Sequence, residues 1–367
     1  MREIPVELGR RRYVVSVGHG LSRRLSDLLA DLRGRRIALV ASRRVLAVHG
    51  RGVLRSLRGL GPVHVVSLPD GERHKSRRTL ETVYDAFLEA RLGRDGLVVA
   101  LGGGVVGDLA GYAAATWVRG VDWVGVPTTL LSMVDSSIGG KVGINHPKGK
   151  NLIGAFHQPR AVVVDPAFLS TLPARELRSG AYEVLKCGVL GDPGLFESIR
   201  RAPPGLLGWK APDVESAIAS ACRLKAGIVA RDEREGGRRR VLNLGHTIGH
   251  ALEATTGYRR FTHGEAVGWG LVGAACLARR RGRLPERDAE AIASAVDRLG
   301  PRPRVSDLPP AAILEALGRD KKARAGRVPF VLPVAIGRVE IVEDVGRREI
   351  LAALREMATR RRRRPSG

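Results

Sequence analysis

The segment Leu97-Val98-Val99-Ala100-Leu101, followed at once by Gly102-Gly103-Gly104-Val105-Val106-Gly107-Asp108, limits the fold more than any other stretch of this chain. An unbroken apolar run reads as a strand buried on both faces, the pattern of a parallel sheet. The glycines let the backbone turn sharply, and the helix that follows offers unpaired N–H groups to a phosphate. A lone G-x-G-x-x-G also marks a tight strand–helix turn packed for close approach. The strand before and the helix after move the reading toward a nucleotide. An acidic residue about twenty positions further on ordinarily holds the adenosine ribose. Asp122 stands near that spacing but precedes Trp123 within a strand-like run, so the residues point to a phosphate-bearing ligand, with a dinucleotide as one option.

The turn sits in an alternating series. Arg36–Val40, Val63–Leu68, Gly96–Leu101, Trp123–Val126 and Ala161–Asp165 read as strands, with helical patterns from Ser76 to Arg91 and from the glycine turn to Trp117. Alternation of this kind predicts a mostly parallel sheet. After Leu172-Pro173 helical periodicity dominates, broken by Pro/Gly turns, and Val328–Pro333 is the one clear strand-like run. The expected architecture is an N-terminal Rossmann-like α/β domain over 1–173, a mainly α-helical domain over 174–358, and a basic, disordered tail over 359–367.

Composition narrows the function. The formal charge of +25 invites a nucleic-acid reading. The charge is nearly all arginine spread along the chain, only Arg360–Arg364 forms a run, and aromatics at 4% are too few for base-stacking platforms. The rival is thus a basic nucleic-acid binder, and the sequence disfavours it. Cys187, Cys222 and Cys276 show no metal-ligand spacing and predict a reducing, cytoplasmic setting. No apolar run approaches the roughly 18–20 residues of a membrane helix, so no membrane partner is expected. Only nine lysines occur, at 75, 141, 148, 150, 186, 210, 225, 321 and 322. A chain that uses arginine by default keeps lysine where a compact or titratable amine is needed.

His246 and His250, four apart in Leu244-Gly245-His246-Thr247-Ile248-Gly249-His250-Ala251-Leu252-Glu253, share one helix face, and His263 follows in Thr262-His263-Gly264-Glu265. Upstream, Glu183 and Lys186 share another face. Two histidines and a carboxylate are a common catalytic zinc set that leaves a coordination position open. Spacing alone does not choose among the three histidines.

The blocks Asp70-Gly71-Glu72-Arg73-His74-Lys75, Gly102–Asp108, Pro127-Thr128-Thr129-Leu130, Asp135-Ser136-Ser137-Ile138-Gly139-Gly140-Lys141, Gly149-Lys150-Asn151-Leu152-Ile153-Gly154, Ser179–Lys186, Leu242–Glu253, His263-Gly264-Glu265 and Asp320-Lys321-Lys322 together resemble the 3-dehydroquinate synthase family of sugar-phosphate cyclases. The resemblance implies zinc, or cobalt, on Glu183, His246 and His263, with His250 beside the metal. It implies NAD contacts from Asp70, Gly71, Glu72, Arg73, His74, Lys75, Gly104, Val105, Val106, Gly107, Asp108, Thr128, Thr129, Lys141, Lys150, Phe168, Leu169, Ser170 and Thr171. The implied substrate-facing set is Arg119, Asp135, Lys141, Asn151, Lys186, Lys225, Arg239, Asn243, His250 and Lys322, with His250 and Lys186 as candidates for proton handling. A cytoplasmic homodimer acting on a small sugar phosphate completes the expectation.

The implied reaction is the shikimate-pathway conversion of 3-deoxy-D-arabino-heptulosonate 7-phosphate to 3-dehydroquinate and phosphate. It runs by transient oxidation by NAD, elimination, re-reduction and intramolecular aldol closure. A phosphate and a carboxylate on one substrate call for a cleft lined with arginine and lysine. The family's other cyclases, which act on related sugar phosphates in secondary metabolism, are the alternative. Two departures stand out. Ser42-Arg43-Arg44 replaces the acidic or amide pair that contacts the cofactor's ribose, and arginine there suits a 2′-phosphate. Tyr182 stands where the family has a small residue before the zinc glutamate.

Overall fold

The computed structural model describes residues 1–202, 211–318 and 328–359. The chain forms two compact units, Met1–Leu172 with Val214–Arg234, and Pro173–Asp213 with Glu235–Gly367.

The first unit holds a seven-stranded sheet of order β1-β2-β9-β6-β5-β3-β4. Its strands are β1 (Arg2–Val6), β2 (Tyr13–Val17), β3 (Ile37–Ser42), β4 (Val63–Leu68), β5 (Leu97–Gly102), β6 (Asp122–Pro127) and β9 (Ala161–Val164). Within this sheet β1 and β2 pair antiparallel, and the other pairs are parallel. The central strands β3 and β5 are buried along their whole length, as expected of parallel strands covered on both faces. The helices of this unit are α1 (Leu25–Leu28), α2 (Arg43–Arg58), α3 (Arg77–Glu89) and α4 (Gly104–Thr116). Ala38, Val40, Val98 and Ala100 of the sheet form one core with Leu109, Ala110 and Ala113 of α4. A hairpin, β7 (Lys141–His146) with β8 (Gly149–Phe156), lies on α4 so closely that a Cβ at Gly111 would be 2.4 Å from Val142 Cγ1.

The second unit is built from α5 (Ala174–Gly191), α6 (Pro193–Arg201), α8 (His246–Thr255), α9 (His263–Arg280), α10 (Glu286–Arg298), α11 (Pro310–Gly318) and α12 (Arg347–Thr359). The strand-like run at Val328–Pro333 is β10 (Val328–Ala335), and it pairs antiparallel with β11 (Arg338–Val345), which sequence reading overlooked. Helix α9 is buried from Gly264 to Ala278. A Cβ at Gly264 would fall 1.9 Å from the Ser179 carbonyl oxygen of α5, and one at Gly270 would fall 1.8 Å from the Gly245 carbonyl oxygen before α8.

The expected boundary near residue 173 needs one amendment. Helix α7 (Ala211–Arg231) lies largely in the stretch that packs with the first unit, although the sequence reading assigns all of 174–358 to the second domain. Its Cys222 Sγ lies 3.4 Å from the Met133 carbonyl oxygen. Helical periodicity shows that a face is buried but not against which unit, so the pattern could not reveal this return. The basic tail from Arg360 lies outside the described residues, as do Lys321 and Lys322. No helix among the described residues is long and apolar enough to cross a membrane.

Because Gly270 admits no Cβ, Gly270→Ala is expected to lower stability by about 3 kcal/mol, the upper end of ordinary overpacking. The midpoint of urea unfolding measures it, and an unchanged midpoint would contradict this packing.

Candidate active site

In the first unit the candidate residues gather where parallel strands end. Gly102 closes β5 beside Pro127 of β6, so the glycine turn and Thr128-Thr129 share that edge. The Thr128 N–H donates to the Gly102 carbonyl at 3.0 Å. Helix α4 starts from Gly103 with no side chain capping it, which leaves its first N–H groups facing outward for an anion. A Cβ at Gly102 would lie 2.6 Å from Val106 Cβ, so glycine is required for the turn to close. Asp122 lies at the other end of β6, opposite Leu97, and takes the Arg35 guanidinium at 2.7 Å. That position removes it as a ribose reader.

The strand next to β5 is β3, paired from Ile37↔Leu97 to Ala41↔Leu101. Its end carries Ser42, whose Oγ caps α2 by accepting the Val45 N–H at 3.4 Å, while Arg43 and Arg44 are exposed. The Arg44 backbone N–H donates to Asp70 Oδ2 at 3.3 Å. The Pro166–Thr171 turn, containing Phe168, Leu169, Ser170 and Thr171, rests on α2 through His49. The His49 ring lies 4.8 Å from that of Phe168, and its Nε2 is 2.8 Å from Thr171 Oγ1. Burial lowers the His49 pKa. Nothing in sequence spacing marked this histidine.

Lys75 ties three blocks together. It is buried, its Nζ lies 2.5 Å from Asp108 Oδ2 of α4, and it also donates to Asn151 Oδ1 of β8. Burial raises the Asp108 pKa against the opposing charge of Lys75. Asn151 itself has a left-handed backbone, φ 55°, and its N–H is held by Asn145 Oδ1 at 2.9 Å. Asn145 Nδ2 in turn donates to Glu72 Oε1 at 2.7 Å. The segment 70–75, the glycine helix and the hairpin carrying Lys141 and Lys150 therefore form one hydrogen-bonded assembly.

Asp135, in the turn Ser132–Ser136, receives Lys225 from α7 at 2.6 Å through Oδ1 and at 2.5 Å through its carbonyl. Val118 and Arg119 have consecutive left-handed conformations, φ 42° and 72°. Such geometry in side-chain-bearing residues is strained and persists only where the surroundings enforce it.

The second unit brings the acid and histidines together. Glu183 comes from α5, His246 from the first turn of α8 and His263 from the start of α9. Glu183 Oε1 lies 3.8 Å from His246 Nε2 and 3.7 Å from His263 Nε2. The Glu183 side chain is 1% exposed, and Oε1 accepts no hydrogen bond among the described residues. A tetrahedral ion with bonds of about 2.0–2.1 Å spaces its ligands about 3.4 Å apart, close to these separations. A buried carboxylate oxygen without a proton donor, facing two imidazoles, is a donor set suited to a divalent cation. Lys186 Nζ stands 2.5 Å from Glu183 Oε2.

The His250 ring is 5.3 Å from that of His246 and 5.9 Å from that of His263. His250, Glu253 and His263 make a second close group of donors. Arg239 is buried, and Asn243, in the same turn Arg238–Asn243, donates to Glu235 Oε1 at 3.2 Å. Tyr182 packs its ring where Gly268 lacks a side chain and directs its hydroxyl to the Gly300 carbonyl at 3.4 Å, so glycine on α9 makes room for the larger residue.

Removing Lys75 leaves the half-buried Asp108 without that cation. Lys75→Met is expected to cost about 3 kcal/mol, and the double substitution with Asp108→Asn to recover more than half. Urea unfolding of the four proteins in that cycle gives the coupling, and additive losses would refute it.

Comparison with known proteins identifies the family. A family model described as 3-dehydroquinate synthase N-terminal matches residues 65–179, and one described as 3-dehydroquinate synthase C-terminal matches residues 180–323. A 3-dehydroquinate synthase of Synechococcus sp. is 46% identical over 97% of this chain and 98% of its own length. That of Gloeobacter violaceus is 47% identical over 97% of this chain and 100% of its own. Among solved structures, a 2-epi-5-epi-valiolone synthase from Streptomyces hygroscopicus, with NAD+ and Zn2+ bound, is 30% identical. It covers 94% of this chain and 96% of its own, with a TM-score of 0.85. With both halves matched in order and near-half identity over almost its whole length, the chain belongs to the 3-dehydroquinate synthase family.

Proposed function

We propose that this chain is a 3-dehydroquinate synthase, a lyase that converts 3-deoxy-D-arabino-heptulosonate 7-phosphate to 3-dehydroquinate and phosphate with NAD+ and zinc or cobalt. The observation that carries the reading is Glu183 Oε1, buried with no hydrogen bond among the described residues and facing His246 Nε2 and His263 Nε2. Identity of 46–47% to named 3-dehydroquinate synthases, against 30% to the valiolone synthase, favours this substrate over that of a secondary-metabolic cyclase.

Glu183, His246 and His263 would hold the metal, and the segment 70–75, Gly104–Asp108, Thr128-Thr129, Lys141, Lys150 and Phe168–Thr171 would hold the dinucleotide. When bound, NAD+ supplies a hydride acceptor and the metal supplies Lewis acidity for a substrate hydroxyl. The chain's own residues then bind and orient. Arg119, Lys141, Lys225, Arg239 and Lys322 offer cations to the substrate's phosphate and carboxylate, with Asp135, Asn151 and Asn243 for its hydroxyls. His250 takes or returns a proton at an imidazole nitrogen, and Lys186 does so at Nζ. The enzyme works as a homodimer in the cytoplasm.

A coupled assay tests the reading. Phosphate and 3-dehydroquinate should appear in equal amounts without net NADH, and EDTA should abolish turnover. NADH accumulation, or no turnover with metal and NAD+ supplied, would overturn it. His263→Ala should lose zinc, whereas His250→Ala should keep zinc and lose rate; the reverse would reassign the ligands.

NAD+ is the proposed dinucleotide even though Arg43 and Arg44 flank Ser42 at the end of β3. Calorimetric titration should show NAD+ binding more tightly than NADP+. Tighter NADP+ binding, weakened by Arg44→Asn, would reverse that preference.

A further inference from the structure

The two nitrogens of an imidazole ring divide the labour at a metal: one donates a lone pair and the other, protonated, needs an acceptor. His246 directs Nε2 toward Glu183 Oε1 and places Nδ1 3.1 Å from the Leu244 carbonyl. His263 directs Nε2 toward the same oxygen and places Nδ1 3.4 Å from Glu253 Oε2. A carbonyl and a carboxylate only accept, so both Nδ1 atoms carry hydrogen and both Nε2 lone pairs face Glu183. Glu253 lies three residues beyond His250 and seven beyond His246 on α8, hence on their face of the helix. Its side chain is 8% exposed, and a carboxylate so buried needs a partner.

We propose that Glu253 is a positioning residue of the metal centre, fixing the tautomer and ring plane of His263 and strengthening Nε2 as a donor. The proposal rests on the reading of Glu183, His246 and His263 as the metal ligands. The competing arrangement puts the ion among His250, Glu253 and His263, which also lie close together. It would use the opposite nitrogen of His263 and leave Glu183 Oε1 buried with no hydrogen bond among the described residues, and the geometry disfavours it on that ground.

The test uses the full-length chain, stripped of metal and titrated with Zn2+ against a chromophoric chelator, with the Co2+ absorption spectrum as a second readout. Glu253→Ala should weaken zinc binding about 10–100-fold and shift the Co2+ bands. Glu253→Gln, which keeps an acceptor and loses the charge, should fall between Glu253→Ala and the parent chain. The metal-free melting temperature should stay at the parent value for both. Unchanged zinc affinity and Co2+ spectra in both variants would refute the proposal alone, because the parent chain still binds metal. An affinity loss matched by a fall in metal-free melting temperature would make Glu253 a packing residue and refute it too. Zinc lost in Glu253→Gln but kept in Glu183→Gln would move the ion to the other side of His263. A parent chain that takes up no zinc would remove the underlying metal reading, and this proposal with it.

Discussion

The carbonyl oxygen of Gly245 occupies the space that a side chain at position 270 would need, and this contact governs the second unit. Backbone against backbone is the closest approach two segments can make, and only glycine permits it. The same device recurs where Gly264 meets the Ser179 carbonyl. Together these contacts lock α9 to α5 and to the start of α8, the three elements that carry His263, Glu183 and His246. Donor atoms on three separate helices keep a fixed spacing only if the helices cannot slide. Interiors packed to crystal density resist such sliding. The spacing of Glu183, His246 and His263 is thus set by small residues that carry no side-chain donor atoms of their own.

Buried ammonium groups are a second constraint on the molecule. Lys75, Lys186 and Lys225 are all buried, and each stands against a carboxylate: Asp108, Glu183 and Asp135. Taking an ion pair out of water costs more than most such pairs return in stability, and here the ammonium is buried in all three pairs while only Glu183 among the carboxylates is fully buried. Their presence in a chain that otherwise relies on arginine fits a need for a compact charge at these places. The scarcity of lysine in the sequence therefore carried structural information.

Much of the site was legible because its signals are local. The glycine turn falls between β5 and α4, and the spacing of His246 and His250 puts both on α8. The antiparallel strands β1 and β2, the hairpin β7–β8 and strand β11 escaped because short or glycine-containing strands carry weak periodicity. Asp122 was set aside because it sits in a strand, and the topology agrees, since it lies at the end of β6 away from the glycine turn. The residue beside the glycine turn comes from β3, which precedes β5 in the chain, so counting forward from the glycines could not find it. His49 meets Thr171 across 122 positions, a pairing that no local pattern encodes. Glu253 was visible in principle, three residues after His250 on one helix face. A lone glutamate at that spacing is indistinguishable from a solvated one until its burial is known.

The return of α7 to the first unit has a consequence for how the protein is made. The sheet and its glycine turn are complete by Leu172, yet Lys225 and Cys222, which meet Asp135 and Met133, are more than forty residues further on. Domains usually fold as units in the order of their synthesis. Here the first unit waits for a helix that leaves the ribosome only after α5 and α6 of the second. A truncation at residue 172 would remove Lys225, with its bonds to Asp135, along with the second unit.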